Sequence, residues 1–278
     1  MAHEIWIRFG VFAAVLAAMA VWESLSPRRI LGMPRGRRWP GNLMLVAVNV
    51  VTVRLLLPAG AIGASLWAEA HGFGLCHRLA WSGWPTVLLC VVALDLAIYA
   101  QHLLFHAVPL LWRLHMVHHA DRDIDVTTGL RFHPGEILLS VLIKMAVVAL
   151  LGAPVAAVII FEVVLNAMAM FNHGNVRLPQ YLDTWLRRLL VTPDMHRVHH
   201  SVIRDETNRN FGFNLSLWDR LFGTYRAQPA AGHVQMTIGL EQFQRAGTHR
   251  LGWMLALPFR GSIGAYPMLT KPPEARHE

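Results

Sequence analysis

Cysteine is almost missing from this chain, and charge is sparse. The 278 residues hold two cysteines, Cys76 and Cys90. That excludes a zinc-finger set, a four-cysteine iron–sulfur site and a disulfide framework. No GxGxxG fingerprint and no CxxCH string occurs, so a bound dinucleotide or covalent haem has no motif to hold it. Soluble carboxylate di-iron bundles use Glu-x-x-His on core helices. Here that string occurs only from Glu274 to His277, in a polar stretch from Lys271 that reads as a loose tail. Charged residues make up 15% and hydrophobic residues 54%, too apolar for an ordinary soluble domain. There is no low-complexity stretch and no repeat beyond one histidine motif.

Long apolar runs account for the composition. They extend from Ile5 to Trp22, Leu43 to Trp67, Trp84 to Phe105 and Ile137 to Phe171. A bilayer-crossing helix needs about 20 apolar residues, so the first three qualify. The fourth is broken by Gly152-Ala153-Pro154 and reads as a helical hairpin whose shorter arms need not reach the far side. The expected fold is therefore all-α: an integral membrane bundle of about three spanning helices plus a hairpin. A cytoplasmic helical cap completes it. We divide the chain into N-terminal transmembrane helices and outer loop (1–84), a catalytic domain (85–226) and a C-terminal tail (227–278).

The net charge of +8 suggests nucleic acid, but the basic residues flank apolar runs and form no soluble basic domain. Arg28, Arg29, Arg35, Arg37 and Arg38 crowd the loop after the first run. The positive-inside rule makes that loop cytoplasmic. The amino terminus then faces out, and the third run enters the cytoplasm at its C-terminal end. A leader cleaved after Ala18-Met19-Ala20 would put the five arginines outside, against that bias. In a bacterium the chain is expected as a multi-pass inner-membrane protein.

What the chain has is histidine. Ten of its sixteen histidines fall between His102 and His200. Two copies of HxxHH, at His115-Met-Val-His118-His119 and His196-Arg-Val-His199-His200, follow an HxxxH at His102 and His106. Residues at i, i+3 and i+4 share a helix face, so each copy presents three imidazoles in one direction. Neutral imidazole is a common ligand of iron, zinc and copper. This many converging rings is too many for one ion and fits two. His173, in Phe171-Asn-His-Gly-Asn175, follows a stripe of Glu162 and Asn166 and is expected to join them. His133 is either a tenth ligand or fixes the loop entering the hairpin. His3, His71, His77, His233, His249 and His277 lack clustered partners.

Asp95, Tyr99, His102 and His106 lie within about 60° on one helical stripe. A carboxylate in a membrane helix normally faces a protein interior or a functional site. Asp95 is expected either to steady a ligand histidine, directly or through Tyr99, or to make a packing contact. Asn210 and Asp219 are expected to accept from ligand imidazoles. The alternatives are turn chemistry at Asn210-Phe-Gly212 and a local Asp219–Arg220 pair. Tyr181 to Leu190, with Trp185 and the Arg187-Arg188 pair, reads as an interfacial amphipathic segment.

Over residues 85–226 the chain resembles the fatty acid hydroxylase/sterol desaturase superfamily of membrane di-iron oxygenases. The resemblance rests on Asp95-x3-Tyr99-x2-His102-x3-His106, His115-x2-His118-His119 and Thr192-Pro-Asp-Met-His196-Arg-Val-His199-His200. Asn210-Phe-Gly and Trp218-Asp-Arg-Leu-Phe-Gly-Thr224 add to it. It implies two iron ions, for which zinc can substitute in purified protein, and O2 as co-substrate. It implies a lipid substrate drawn from the bilayer, such as a fatty acyl chain, sterol or alkylglycerol, that is hydroxylated or desaturated. Electrons would come from a separate donor: a ferredoxin, a cytochrome b5-like protein or a reductase. Because imidazole does not by itself select iron, a membrane metal-binding protein and a zinc-dependent hydrolase stand as alternatives.

Overall fold

The computed structural model describes residues 2–270, so the expected loose tail with Glu274 and His277 lies outside the described residues. Helix α1 (Ala2–Leu25) covers the first apolar run. The second run does not form one span. Pro58 disfavours helical backbone at the residue before it, and the chain breaks there into α2 (Arg35–Leu56) and α3 (Gly60–Ala70). A short α4 (Leu75–Arg78) leads into α5 (Gly83–Ala107), which carries the third run. Pro109 then opens α6 (Pro109–His119), its missing N–H costing nothing in a first turn.

The hairpin is α7 (Pro134–Leu151) and α8 (Val155–Asn172). Gly152 ends α7 at φ 64°, the left-handed cap that glycine adopts without strain. A side chain there would also strike Phe73 O and His77. Each arm has 18 residues, about 27 Å at 1.5 Å per residue. Five segments are thus long and apolar enough to cross a membrane: α1, the stretch from Arg35 to Arg78, α5, α7 and α8. Leu55, Leu56, Leu88, Leu142 and Leu150 lie exposed on them, the outward apolar surface of helices solvated by lipid. Among the described residues there are no strands, only three isolated bridges.

Besides the 3₁₀ turn Glu241–Phe243, six short helices among the described residues follow the hairpin and one 3₁₀ turn precedes it. They are α9 (Gln180–Leu186), α10 (Pro193–His199), α11 (Arg204–Thr207), α12 (Leu217–Leu221), α13 (Gly232–Gln235), α14 (Leu251–Arg260) and the 3₁₀ turn Thr128–Leu130. The expectation of a mere tail after residue 226 fails for 227–270. Leu240, Phe243, Met254, Leu257 and Tyr266 pack with Trp112 and Met116 of α6 in one apolar cluster. Gly and Pro punctuation there marks tight turns between packed pieces.

The arginine-rich loop is also more than a charged connector. Arg38 is buried and bonds Asp121 at 2.7 Å and Asp125 at 2.6 Å. Arg28 reaches Asp194, and Arg29 donates to Met236 O. The loop is therefore docked on the histidine-bearing end of the bundle. In α9, Tyr181 and Trp185 are exposed as an interfacial segment requires, but the arginine pair is split. Arg187 turns inward to Asp183 and Ala227 O, while Arg188 stays exposed.

Candidate metal centre

Three helical ends and one loop converge beneath the 3₁₀ turn. The last two turns of α5 supply His102 and His106, α6 supplies His115, His118 and His119, and α10 with its cap supplies His196, His199 and His200. His173 follows α8. These nine fall into two groups, His102/His106/His115/His119/His199 and His118/His173/His196/His200. Within each group the candidate ligand atoms all lie within 4.8 Å of one another, and every ring is buried. The groups are neighbours. His119 stacks on His200 at 4.7 Å, and His196 lies 5.1 Å from His199.

The ring tautomers follow from what each far nitrogen touches. His102 Nδ1 donates to Phe211 O (2.8 Å), His118 Nδ1 to Arg131 O (3.3 Å), His173 Nδ1 to Ala169 O (2.7 Å) and His199 Nδ1 to Arg209 O (2.8 Å). His106 Nδ1 donates to Asn208 Oδ1 (3.1 Å) and His115 Nδ1 to Glu136 Oε1 (2.7 Å). A neutral imidazole that spends its one N–H this way leaves a bare lone pair on Nε2. His118 and His173 then face each other lone pair to lone pair at 3.1 Å, which is no hydrogen bond. The same separation recurs at His106–His119 (3.1 Å), His173–His196 (3.0 Å) and His196–His200 (3.3 Å). Two nitrogens about 2.1 Å from a shared ion at ordinary coordination angles stand about 3 Å apart. His115 Nε2 and His199 Nε2 are buried with no partner at all. The donor set fits cations and fits nothing else at this density.

Burial and the neighbouring imidazoles hold His118, His119, His196 and His200 well below the usual histidine range, and His199 down at about 3. All are thus in the neutral form that binds metal.

The residues expected behind the ligands do their work at one remove. Asp219 touches no histidine. Its carboxylate accepts from Phe211 N (2.7 Å), Gly212 N (2.8 Å) and Thr224 Oγ1 (2.7 Å). Asn210 likewise bonds backbone only, donating to Met195 O and Arg226 O and accepting from Arg226 N. It sits at φ 55°, a left-handed position that asparagine tolerates. That turn aims the flanking carbonyls of Arg209 and Phe211 at His199 and His102. Asp95 accepts from Leu215 N (3.2 Å) and Trp218 Nε1 (2.9 Å). Tyr99 contacts Thr224 Oγ1 at 2.9 Å. All four therefore brace the 209–226 loop that orients two ligands. His133 is outside both groups. It caps α7, accepting from Gly135 N while Nε2 donates to Leu255 O, so neither nitrogen is left for a metal.

Glu136 and Asn208 were not anticipated. Glu136 lies three residues after His133 at the start of α7, where an acid also suits the helix dipole. Asn208 is one of two asparagines in Asn208-Arg-Asn210, and only its neighbour was singled out. The Asp121, Asp123 and Asp125 triplet around Arg38 was also missed. Burial pushes Asp121 up, but Arg38 and Arg131 pull it down to about 2. The Glu162 stripe ends differently from His173: Glu162 pairs with Arg8 and Lys144 inside the bundle.

The fatty acid hydroxylase family model matches residues 87–224, the stretch that holds every member of both histidine groups. The chain belongs to the fatty acid hydroxylase family. It is 29% identical over 244 residues to an ornithine lipid hydroxylase of Rhizobium tropici, covering 85% of this chain and 72% of that one. It is 27% identical over 168 residues to the alkylglycerol monooxygenase of Homo sapiens (59% and 35% covered). With the cholesterol 25-hydroxylase of Rattus norvegicus it shares 29% over 146 residues (51% and 47% covered). The chain thus spans about a third to a half of the latter two relatives. No solved structure matches the chain. Its relatives in the family are lipid hydroxylases and monooxygenases.

Proposed function

We propose that the chain is a membrane-bound di-iron hydroxylase that inserts oxygen into an alkyl C–H bond of a membrane lipid. The supporting observation is the pair of buried histidine groups, five and four rings, whose Nε2 lone pairs face inward while six far nitrogens are tied outward. Two irons bound there supply O2 activation and attack on an unactivated C–H bond, chemistry no side chain performs. The protein's part is positional. The outward hydrogen bonds fix ring orientation and tautomer, and burial keeps the rings neutral. Trp112, Met116, Phe211 and Met170 close the site to water.

The ornithine lipid hydroxylase relative, matched over most of both chains, favours an amino-acid-bearing membrane lipid as substrate. Residues 85–226 form the catalytic unit, and the histidine end faces the cytoplasm, where a separate donor supplies electrons. The docked arginine loop puts the positive-inside signal and the metal centre at the same end of the bundle. The test is twofold. Protein from iron-replete cells is analysed for metal, and lipid extracts from cells with and without the gene are compared by mass. Two irons per chain and a +16 lipid support the reading. A −2 lipid makes it a desaturase. Two zincs per chain with unchanged lipids would leave the hydrolase or the metal-binding protein.

A further inference from the structure

Trp112 is the largest fully buried side chain and touches two ligands of the five-histidine group. Its ring centroid is 4.9 Å from His106 and 5.3 Å from His119. On its other face Tyr266 stacks at 5.7 Å and 22°. Tyr266 in turn lines an open surface groove of about 440 Å³ with Val202, Arg204, Glu241, Gln242 and Ala265. Its hydroxyl is fixed at the groove wall, donating to Val202 O (2.8 Å) and accepting from Glu241 N (3.0 Å). A second connection runs in parallel. Asn208 donates to Tyr266 O (2.8 Å), and its Oδ1 accepts from His106 Nδ1 (3.1 Å). Two routes, one from the Tyr266 ring and one from its carbonyl, thus join the groove to His106.

We propose that this groove is where the electron donor docks, and that Tyr266 and Trp112 carry its electrons to the five-histidine group. The inference rests on the hydroxylase reading above. Its stoichiometry is R–H + O2 + 2 e⁻ + 2 H⁺ → R–OH + H2O, so each turnover oxidises two one-electron carriers. Electron tunnelling falls off exponentially with distance and is carried better by packed atoms than across a gap, so the stacked rings bridge surface and ligand without either ring being reduced. Every groove residue comes from chain beyond the last spanning helix, within reach of a soluble partner. From Val202 to Thr270, the stretch that supplies the groove, the exposed acids are Asp205 and Glu241, against exposed Arg209, Arg220, Arg245, Arg250 and Arg260. That surface suits an acidic carrier, and opposite charge raises the rate of productive encounter.

The experiment mixes the full-length iron-loaded protein anaerobically with a reduced acidic [2Fe–2S] ferredoxin and follows metal reduction by stopped flow, with iron per chain measured alongside. Tyr266→Phe keeps the ring and is expected to match the wild type. Tyr266→Leu is expected to keep its iron and be reduced more slowly, by the roughly 10- to 100-fold that outer partners of a metal site are worth. The double variant Arg245→Glu/Arg250→Glu lies wholly on the surface. It is expected to be reduced about tenfold more slowly at low salt and equally fast at high salt. Tyr266→Leu reduced as fast as Tyr266→Phe would overturn the route. If Tyr266→Leu instead loses iron, the charge variant decides, and an unchanged low-salt rate overturns the docking face. A wild-type protein that binds two irons yet accepts electrons from no protein donor would sink the hydroxylase reading itself. Fast wild-type reduction with indifferent variants would sink only the route.

Discussion

The two histidine groups are neighbours that share α6 and α10, the larger drawing also on α5 and the smaller on His173 after α8, yet they are braced differently. In the five-histidine group four far nitrogens are tied down: His102, His106, His115 and His199, one of them to a carboxylate. In the four-histidine group only His118 and His173 are held, both by backbone carbonyls, while His196 Nδ1 and His200 Nδ1 are buried without a partner. The larger group has five rings, four of them pre-aimed. The other has fewer and leaves two rings to be aimed by packing alone. Pre-aimed ligands lose less freedom when a metal binds, so the five-histidine group should be the tighter site.

The largest effect that would break this comparison is removal of a ligand. His199→Ala is expected to abolish turnover and to lower bound metal from two to about one per chain, the four-histidine group keeping its ion. Full occupancy and activity in that variant would dissolve the assignment. Next, dialysis against a chelator should release metal in two phases, the faster belonging to the four-histidine group. His196→Ala should remove that faster phase alone, and a single shared phase would show the groups to be equivalent.

Smaller effects should come from the braces. Glu136→Gln and Asp219→Asn are each expected to cost roughly 10- to 100-fold in affinity or activity at the five-histidine group, leaving the slower-to-fill site untouched. Titration of metal into the stripped variants would show whether one site or both have weakened. Asp95→Asn keeps an acceptor for Leu215 N or Trp218 Nε1 and should fall nearer the tenfold end of that range.

The least selective prediction concerns pH. Asp121 is held down at about 2 by Arg38 and Arg131, against about 3.9 in an unfolded chain. Its contribution, about 2 kcal/mol, is therefore fully present above pH 4 and is lost as pH falls towards 2. Because Asp121 follows α6, which feeds both groups, acid should loosen them together. Arg38→Met should flatten that acid limb in a thermal-unfolding series.

Much of this was legible in the sequence, and the unevenness has a physical cause. The apolar runs, the break at Gly152-Ala153-Pro154 and the convergence of nine histidines could be read because spacing and side-chain type carry that information directly. The split at Pro58 was written in the second run but was outweighed by its hydropathy. Asp95, Asn210 and Asp219 stand out in the sequence as polar groups, but the expectation that Asn210 and Asp219 accept from imidazoles fails, since no histidine is their partner. Their partners were not legible, because a carboxylate that accepts from main-chain N–H leaves no matching residue to find. The arginine loop shows the same limit. A charge count weighs Arg37 and Arg38 alike, although Arg37 is exposed and Arg38 is buried against two aspartates.

Four of the six outward hydrogen bonds from the ligands end on main-chain carbonyls, at Arg131, Ala169, Arg209 and Phe211. A carbonyl is contributed by any amino acid, so the aiming contact itself does not depend on which side chain stands at these positions, although buried Arg131 and Phe211 are held by contacts of their own. Glu136 and Asn208 have no such freedom, since their side chains make the contact. An enzyme organised this way can diverge around a fixed reactive core. Substrate preference can drift through the residues nearest the metal while the histidines themselves stand still.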